Sequence, residues 1–231
     1  MKKFLACVFI LAVFSAVVFY YGWTQYRVKP DTIGIVVSKT NGVDDKPVQN
    51  GEFAWHWQFL LPTNATLKTF QIKPLNTTKT ITGALPSGEA YAAIYNAEGL
   101  FNYSFTFDIS LTVSPEAVVE LMKLNKISDD ADLTAYLEGA AGTLAQHAAN
   151  YILNRAQDNK DFRVESLRRE EILRGIQIYK DFPEIDVSVF SIQSSKLPDY
   201  NMYKKIQNMQ PDELSLQALP SVSSVSVQEE N

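Results

Sequence analysis

The sequence predicts an α+β protein: an N-terminal membrane-spanning helix, then one domain whose mostly antiparallel sheet packs against two or three helices. Three observations predict it. Phe4–Trp23 is an uncharged run of roughly 20 residues, the length a helix needs to cross a bilayer core. Tyr103–Val113 alternates between apolar and polar side chains, the period of a strand with one face on a core. Leu133, Leu137, Ala140, Ala141, Leu144, Ala148, Tyr151 and Ile152 recur at three- and four-residue spacing, the apolar stripe of a helix.

The first segment, residues 1–25, reads as the anchor. Lys2 and Lys3 precede the apolar run, and Arg27 and Lys29 close it. Tyr20, Tyr21, Trp23 and Tyr26 cluster at its far end, where aromatic rings favour the headgroup level. A cleaved signal peptide is the rival reading. It would have a shorter apolar core and a small-x-small site, which Phe14-Ser15-Ala16 fits poorly. Leu5-Ala6-Cys7 resembles a lipoprotein box but precedes the apolar core. Lys and Arg counts at the two ends set no orientation, and long domains are translocated regardless of such charges. The Met-Lys-Lys start looks like an export signal. It places the N-terminus in the cytoplasm and the domain outside a bacterial inner membrane.

The elements of residues 26–200 follow in order. Thr32–Ser38 is a β-branched run ending at Asn41-Gly42, a turn signal. Phe53–Leu61 is aromatic-rich, reads as a strand and ends at Pro62; Trp55, Trp57 and Phe59 would then share a face. Leu67–Lys73 is a further strand. In Tyr103–Val113 the odd-numbered residues point to a core and Ser104, Thr106, Asp108, Ser110 and Thr112 point away. At Ser114 the period changes. Ser114 suits the N-cap, Pro115 the first helical position and Glu116 the positive end of the dipole, so a short helix runs to Leu124. The longest helix is expected from about Asp132 to Ala156. Another, over Val164–Tyr179, turns Leu167, Leu173 and Ile176 inward and Arg168, Arg169, Glu170 and Glu171 outward. A strand over Ile185–Ile192 closes the domain. Residues 201–231 read as a polar, disordered tail, since Ser, Val, Gln and Glu follow Pro211 without a sustained period.

Composition narrows the function. The chain has 231 residues, 46% hydrophobic and 12% aromatic, enough for a real core. Its net charge of −5 and lack of a basic stripe argue against nucleic acid. The one cysteine, Cys7, lies in the apolar run, so an intrachain disulfide and a cysteine-based metal site are excluded. His56 and His147 lack neighbours at metal-ligand spacing. Asp129, Asp130 and Asp132 lack the glycine and distal glutamate of a calcium loop, and negative charge before a helix accounts for them. No nucleophile elbow, P-loop or dinucleotide fingerprint occurs, so neither an enzyme nor a cofactor is expected.

Several segments together carry a resemblance. Val28–Val37 (VKPDTIGIVV) looks like an opening strand just past a membrane, and Gly51–Pro62 (GEFAWHWQFLLP) like a "glycine, aromatic, apolar, proline" segment. Glu98-Gly99-Leu100 followed by Phe105–Pro115 looks like a central strand ending at proline. Asp181–Pro198 looks like a final strand closed by leucine-proline. In this order they resemble the SPFH family, also called band 7, which includes stomatins, prohibitins, flotillins and bacterial membrane-protease regulators. The resemblance covers most of residues 26–200 and implies an SPFH-like domain there.

It also implies a function. The chain is expected to be a membrane-anchored scaffold or regulatory protein. It would self-associate or pair with a paralogue to organise membrane proteins, such as a membrane protease, or lipids. Membrane lipids, further copies of the chain and family paralogues are the expected partners. In the family the segment matching Trp55, Trp57 and Phe59 lies close to the membrane. These three therefore join Tyr20, Tyr21, Trp23 and Tyr26 as membrane-interface candidates, with core filling as the plain alternative. Arg168, Arg169, Glu170 and Glu171 are partner-contact candidates, against a solvated helix face. One departure is large: most members continue into a long charged coiled coil, and the residues after Tyr200 lack heptads. That departure keeps a second function open, a monomeric extracytoplasmic module that binds a lipid or peptide.

Overall fold

The computed structural model describes residues 2–24, 28–159 and 161–209. Among these, seven α-helices and two sheets form an α+β chain. The first helix, α1 (Lys2–Gly22), has a mean hydropathy of 2.5 and is long and apolar enough to cross a membrane; a signal sequence meets the same test.

The residues fall into two compact units. The first takes those of Met1–Lys79, Asp108–Leu144 and Ile176–Ser191; the second takes those of Thr80–Phe107, Ala145–Gly175 and Ile192–Asn231.

In the first unit, β1 (Thr32–Ser38) is the centre of a sheet and forms where a β-branched run was expected. One edge pairs antiparallel with β2 (Gly42–Val43) and β3 (Val48–Gln49), the other with β4 (Ala65–Gln71). Gly42 turns the chain at φ 73°, as Asn41-Gly42 predicts. Strand β1 is buried on both faces. Val36 packs with Val28, Val48, Leu67 and Phe59. Ile33 pairs with the fully buried Phe70 on the opposite face.

Phe53–Leu61 is not a strand. Its only pairing among the described residues is a single antiparallel bridge, Trp23 to Trp55. After His56 the chain satisfies its own backbone, and Trp57–Leu60 winds into a 3₁₀ turn.

Strand β5 (Leu75–Ala84) and helix α2 (Gly88–Tyr95) follow. Strand β6 (Asn102–Val113) buries Phe105, Phe107, Ile109, Leu111 and Val113, the face read from its alternation. Ser114 Oγ then accepts the Ala117 amide at 3.1 Å and starts α3 (Pro115–Lys123), with Pro115 and Glu116 in its first turn. Helix α4 (Asp130–Asp158) extends slightly beyond the expected bounds. Its predicted stripe is buried except for the half-buried Tyr151.

The expected helix over Val164–Tyr179 is broken. It consists of a 3₁₀ turn (Val164–Ser166), then α5 (Arg169–Ile176) and α6 (Ile178–Asp181). Leu167 is extended, and Gln177 is left-handed at φ 51°. Gly175 lies against the Tyr151 ring, where any Cβ would collide, and glycine also weakens a helix.

Strand β7 (Ile185–Lys196) runs longer than expected and completes the sheet β5-β6-β7. Thr78 Oγ1 donates to Asp108, and Thr80 meets Thr106. Thr112 bonds the Asp186 carbonyl, and Ser188 bonds Ser110. Numbers rise on one strand as they fall on the next, so both pairings are antiparallel.

Helix α7 (Tyr200–Gln207) stands where residues 201–231 were read as tail. Asp199 caps it, and in the second unit Ile206 is buried with Ala97 and Phe101. Tyr203 and Lys204 donate to the Pro86 and Gln157 carbonyls at 2.8 Å each. Residues 210–231 lie outside the described ones.

One polar cluster in the first unit yields a pH prediction. Glu184 accepts from the Lys126 ammonium at 3.0 Å and from the Tyr136 hydroxyl at 3.2 Å. Burial works to raise the Glu184 carboxyl. The Lys126 hydrogen bond, its own backbone amide and Tyr136 outweigh that and hold it below the usual range. The bond to Glu184 is the main cause holding Lys126 above its usual range. Glu184 thus stabilises the fold above its ordinary value of 4.5, and this is lost as pH falls through the lower folded value. Lys126 stabilises below 10.5, and this is lost as pH rises through the higher folded value. Lys126→Met is expected to lower the urea midpoint most between about pH 5 and 10, and to converge with the wild type as pH falls through the lowered folded value of Glu184. A deficit independent of pH would assign the loss to packing instead.

Candidate functional site

The site with the most distinctive geometry is where α1 meets the rest of the first unit. The last carbonyls of a helix lack partners within it. Here another segment supplies one: the His56 amide donates to the Gly22 carbonyl at 2.8 Å. The Thr24 amide donates to the Ala54 carbonyl at 3.0 Å, on the other side of the Trp23–Trp55 bridge. Gly22 is needed at this point, because a Cβ would collide with the Trp55 indole.

Side chains reinforce the join. Thr24 is 0% exposed, and its hydroxyl lies 3.2 Å from the Ala54 carbonyl and 3.0 Å from His56 Nδ1. His56 Nε2 faces the Asp44 carboxylate at 3.2 Å. His56 is therefore a half-buried bridge between Thr24 and Asp44.

Aromatic rings surround the join. Phe19, one turn before the end of α1, stacks on Phe53 with centroids 5.9 Å apart and lies 5.8 Å from Trp23. Phe53, Trp55 and Trp57 remain 66%, 37% and 45% exposed, and Leu60 and Leu61 are exposed nearby. Tyr20 and Tyr21 are exposed and meet edge to face.

The 21 residues of α1 span roughly 30 Å at 1.5 Å per residue, the thickness of a bilayer core. If α1 spans such a core, Phe53 lies at the depth of its last turn. Trp55 and Trp57 would lie just beyond, where indole rings are favoured.

Six of the seven interface candidates fall on described residues. Tyr20, Tyr21, Trp23, Trp55 and Trp57 gather at this junction; Tyr26 lies outside the described residues. Phe59 takes the core-filling alternative: it is half-buried, and the 3₁₀ turn carries it against Val28, Val36 and Val48. Sequence reasoning missed Phe53 and Gly22. The aromatic character of the segment could have drawn attention to Phe53, whereas Gly22 carries no signal without the position of Trp55.

Arg168, Arg169, Glu170 and Glu171 are exposed at the start of α5, in the second unit. Glu170 and Glu171 occupy its first turn, where negative charge suits the helix dipole. Asp129 accepts the Asp132 amide at 2.9 Å, and Asp132 accepts the Ser128 amide at 2.9 Å, so these acids shape the start of α4. Among the described residues no group of three or more His, Cys, Asp or Glu side chains could hold a metal ion.

No family model matches the chain. A protein of Treponema pallidum (strain Nichols) that bears the name "Uncharacterized protein" is 24% identical over 194 residues. The match takes in 82% of this chain but 65% of that protein, so the chain spans less than two thirds of its relative's length.

Gly22→Val is expected to cost about 1–3 kcal/mol, the usual penalty of overpacking. Denaturant unfolding of the full chain in detergent measures it. A loss under about 0.5 kcal/mol, the range of neutral surface changes, would show that Trp55 leaves Gly22 without penalty.

Proposed function

We propose that the chain is a short SPFH-like protein, anchored by α1 in a bacterial inner membrane with its domain on the extracytoplasmic side. There it acts as a scaffold or regulatory protein. It self-associates, or pairs with a paralogue, to organise lipids or membrane proteins such as a membrane protease.

The observation that carries this reading is the aromatic segment held beside the last turn of α1. It gives the first unit an exposed apolar rim, Phe53, Trp55 and Trp57, continuous with the apolar helix. The order of elements supports the same reading: an opening strand, then this segment, a central strand ending before Pro115 and a closing strand just before Leu197-Pro198.

Surfaces for lateral contact are present. Among the described residues, strand β5 is an outer strand of its sheet, and a strand edge is a template for another chain. Asn76, Thr78, Thr80 and Thr82 form an exposed polar row on β5. Arg168–Glu171 is a further contact candidate. A monomeric module for a lipid or peptide is the second reading, favoured by a groove beside the aromatic rim.

Two measurements test the proposal. In full-length variants that keep only Trp55 or only Trp57, brominated lipids are expected to quench the remaining indole. Absence of quenching at both positions would end the membrane-seated reading. Extraction into native lipid discs is expected to give a defined assembly larger than one chain. A single-chain mass would sink self-association and leave the binding module.

A further inference from the structure

We propose that the groove beside the aromatic rim binds the headgroup of a zwitterionic phospholipid with a primary amine. Its ammonium is taken by Glu52 and Glu116 and its phosphate by Lys46. This rests on the membrane-seated reading above and names the lipid that the seat recognises.

The groove has a volume of about 500 Å³, within the range of small-molecule sites. Three stretches build it: the loop around Lys46, the segment from Glu52 to His56, and Glu116 in the first turn of α3. Phe53 and Trp55 line it and also touch α1, through Phe19 and Gly22 respectively. The groove therefore opens where α1 would leave the hydrocarbon. A phospholipid at that level places its headgroup in the groove and its acyl chains along the exposed apolar side chains of α1.

Charge selects among headgroups. Neighbouring acids and bases are already paired: Asp44 with His56, and Asp45 with Lys123 at 2.7 Å. The side chains of Lys46, Glu52 and Glu116 make no ion pair among the described residues. One ammonium, that of Lys46, and two carboxylates, those of Glu52 and Glu116, face the groove. An anionic headgroup has one partner there and two repulsive neighbours. A zwitterion matches each charge with its opposite. A primary ammonium donates three hydrogen bonds and can serve both carboxylates, which a quaternary ammonium cannot. The Trp55 and Phe53 faces add attraction for a cation.

The test uses the full chain in lipid discs of phosphatidylcholine with equal minor fractions of phosphatidylethanolamine and phosphatidylglycerol. Lipids retained after detergent release are counted by native mass spectrometry. Phosphatidylethanolamine is expected to be enriched about tenfold over phosphatidylglycerol, the worth of one charge-assisted hydrogen bond. The enrichment is expected to vanish in Glu52→Gln/Glu116→Gln, both exposed positions, and to shrink in Lys46→Met. Retention in the bulk ratio by the wild type would overturn the proposal, as would undiminished enrichment in the double variant. Discs with brominated acyl chains separate the two levels of failure. Indole quenching without headgroup preference removes only the groove. Loss of quenching removes the membrane seat and the groove with it.

Discussion

Two backbone hydrogen bonds around the Trp23–Trp55 bridge hold α1 to the first unit, and much of that unit's arrangement depends on them. The last carbonyls of a helix must find partners outside it. Here a segment further along the chain supplies one through the His56 amide, which bonds the Gly22 carbonyl, so closing the helix and docking it are one event. The Gly22 backbone leaves room for an indole, Trp55 fills it, and Phe53 is carried onto Phe19. The buried Thr24 hydroxyl and the His56 ring then tie this join to Asp44, beside β2.

The interior of the first unit explains why the join can be firm. Strand β1 is buried on both faces, and the residues that cover one of them include Ala54 and Phe59, the neighbours of the join. The aromatic segment is therefore divided by role. Phe59 and Ala54 look inward and hold the segment, while Phe53, Trp55 and Trp57 stay exposed at the rim. In the second unit a separate cluster around Phe101, Ala97 and Ile206 draws in α7 by its apolar residues.

Elements with a strong period were legible from the sequence. Strand β6, the Ser114 cap and the alanine-rich stripe of α4 follow directly from side-chain order, because each buries a face that the pattern spells out. Strand β5 was not, since Leu75 and Ile81 are its only large apolar residues and three of its four threonines face water. The broken helix after Val164 depends on Tyr151 meeting Gly175, a contact between residues distant in sequence. Helix α7 was hidden because its stability comes from docking against Phe101 rather than from its own composition. At the candidate site the aromatic candidates were legible as a group. The inward turn of Phe59 was not, because a 3₁₀ turn breaks the alternation on which the shared face was argued.

The fixed contact between Trp55 and Gly22 has a mechanical consequence. A flexible tether would let a domain swivel freely about its membrane helix. Here one azimuth of α1 faces the indole and one turn below it faces Phe53, so the helix cannot rotate without carrying the first unit with it. The same holds for tilt. A helix of fixed apolar length leans when the surrounding bilayer is thinner and stands upright when it is thicker. In a spanning arrangement, the lean of α1 is passed to the first unit as a change in how its rim meets the lipid surface. A change in bilayer thickness would then reach the rim as a change in its angle, because the contact of Gly22 with Trp55 leaves no free joint between them.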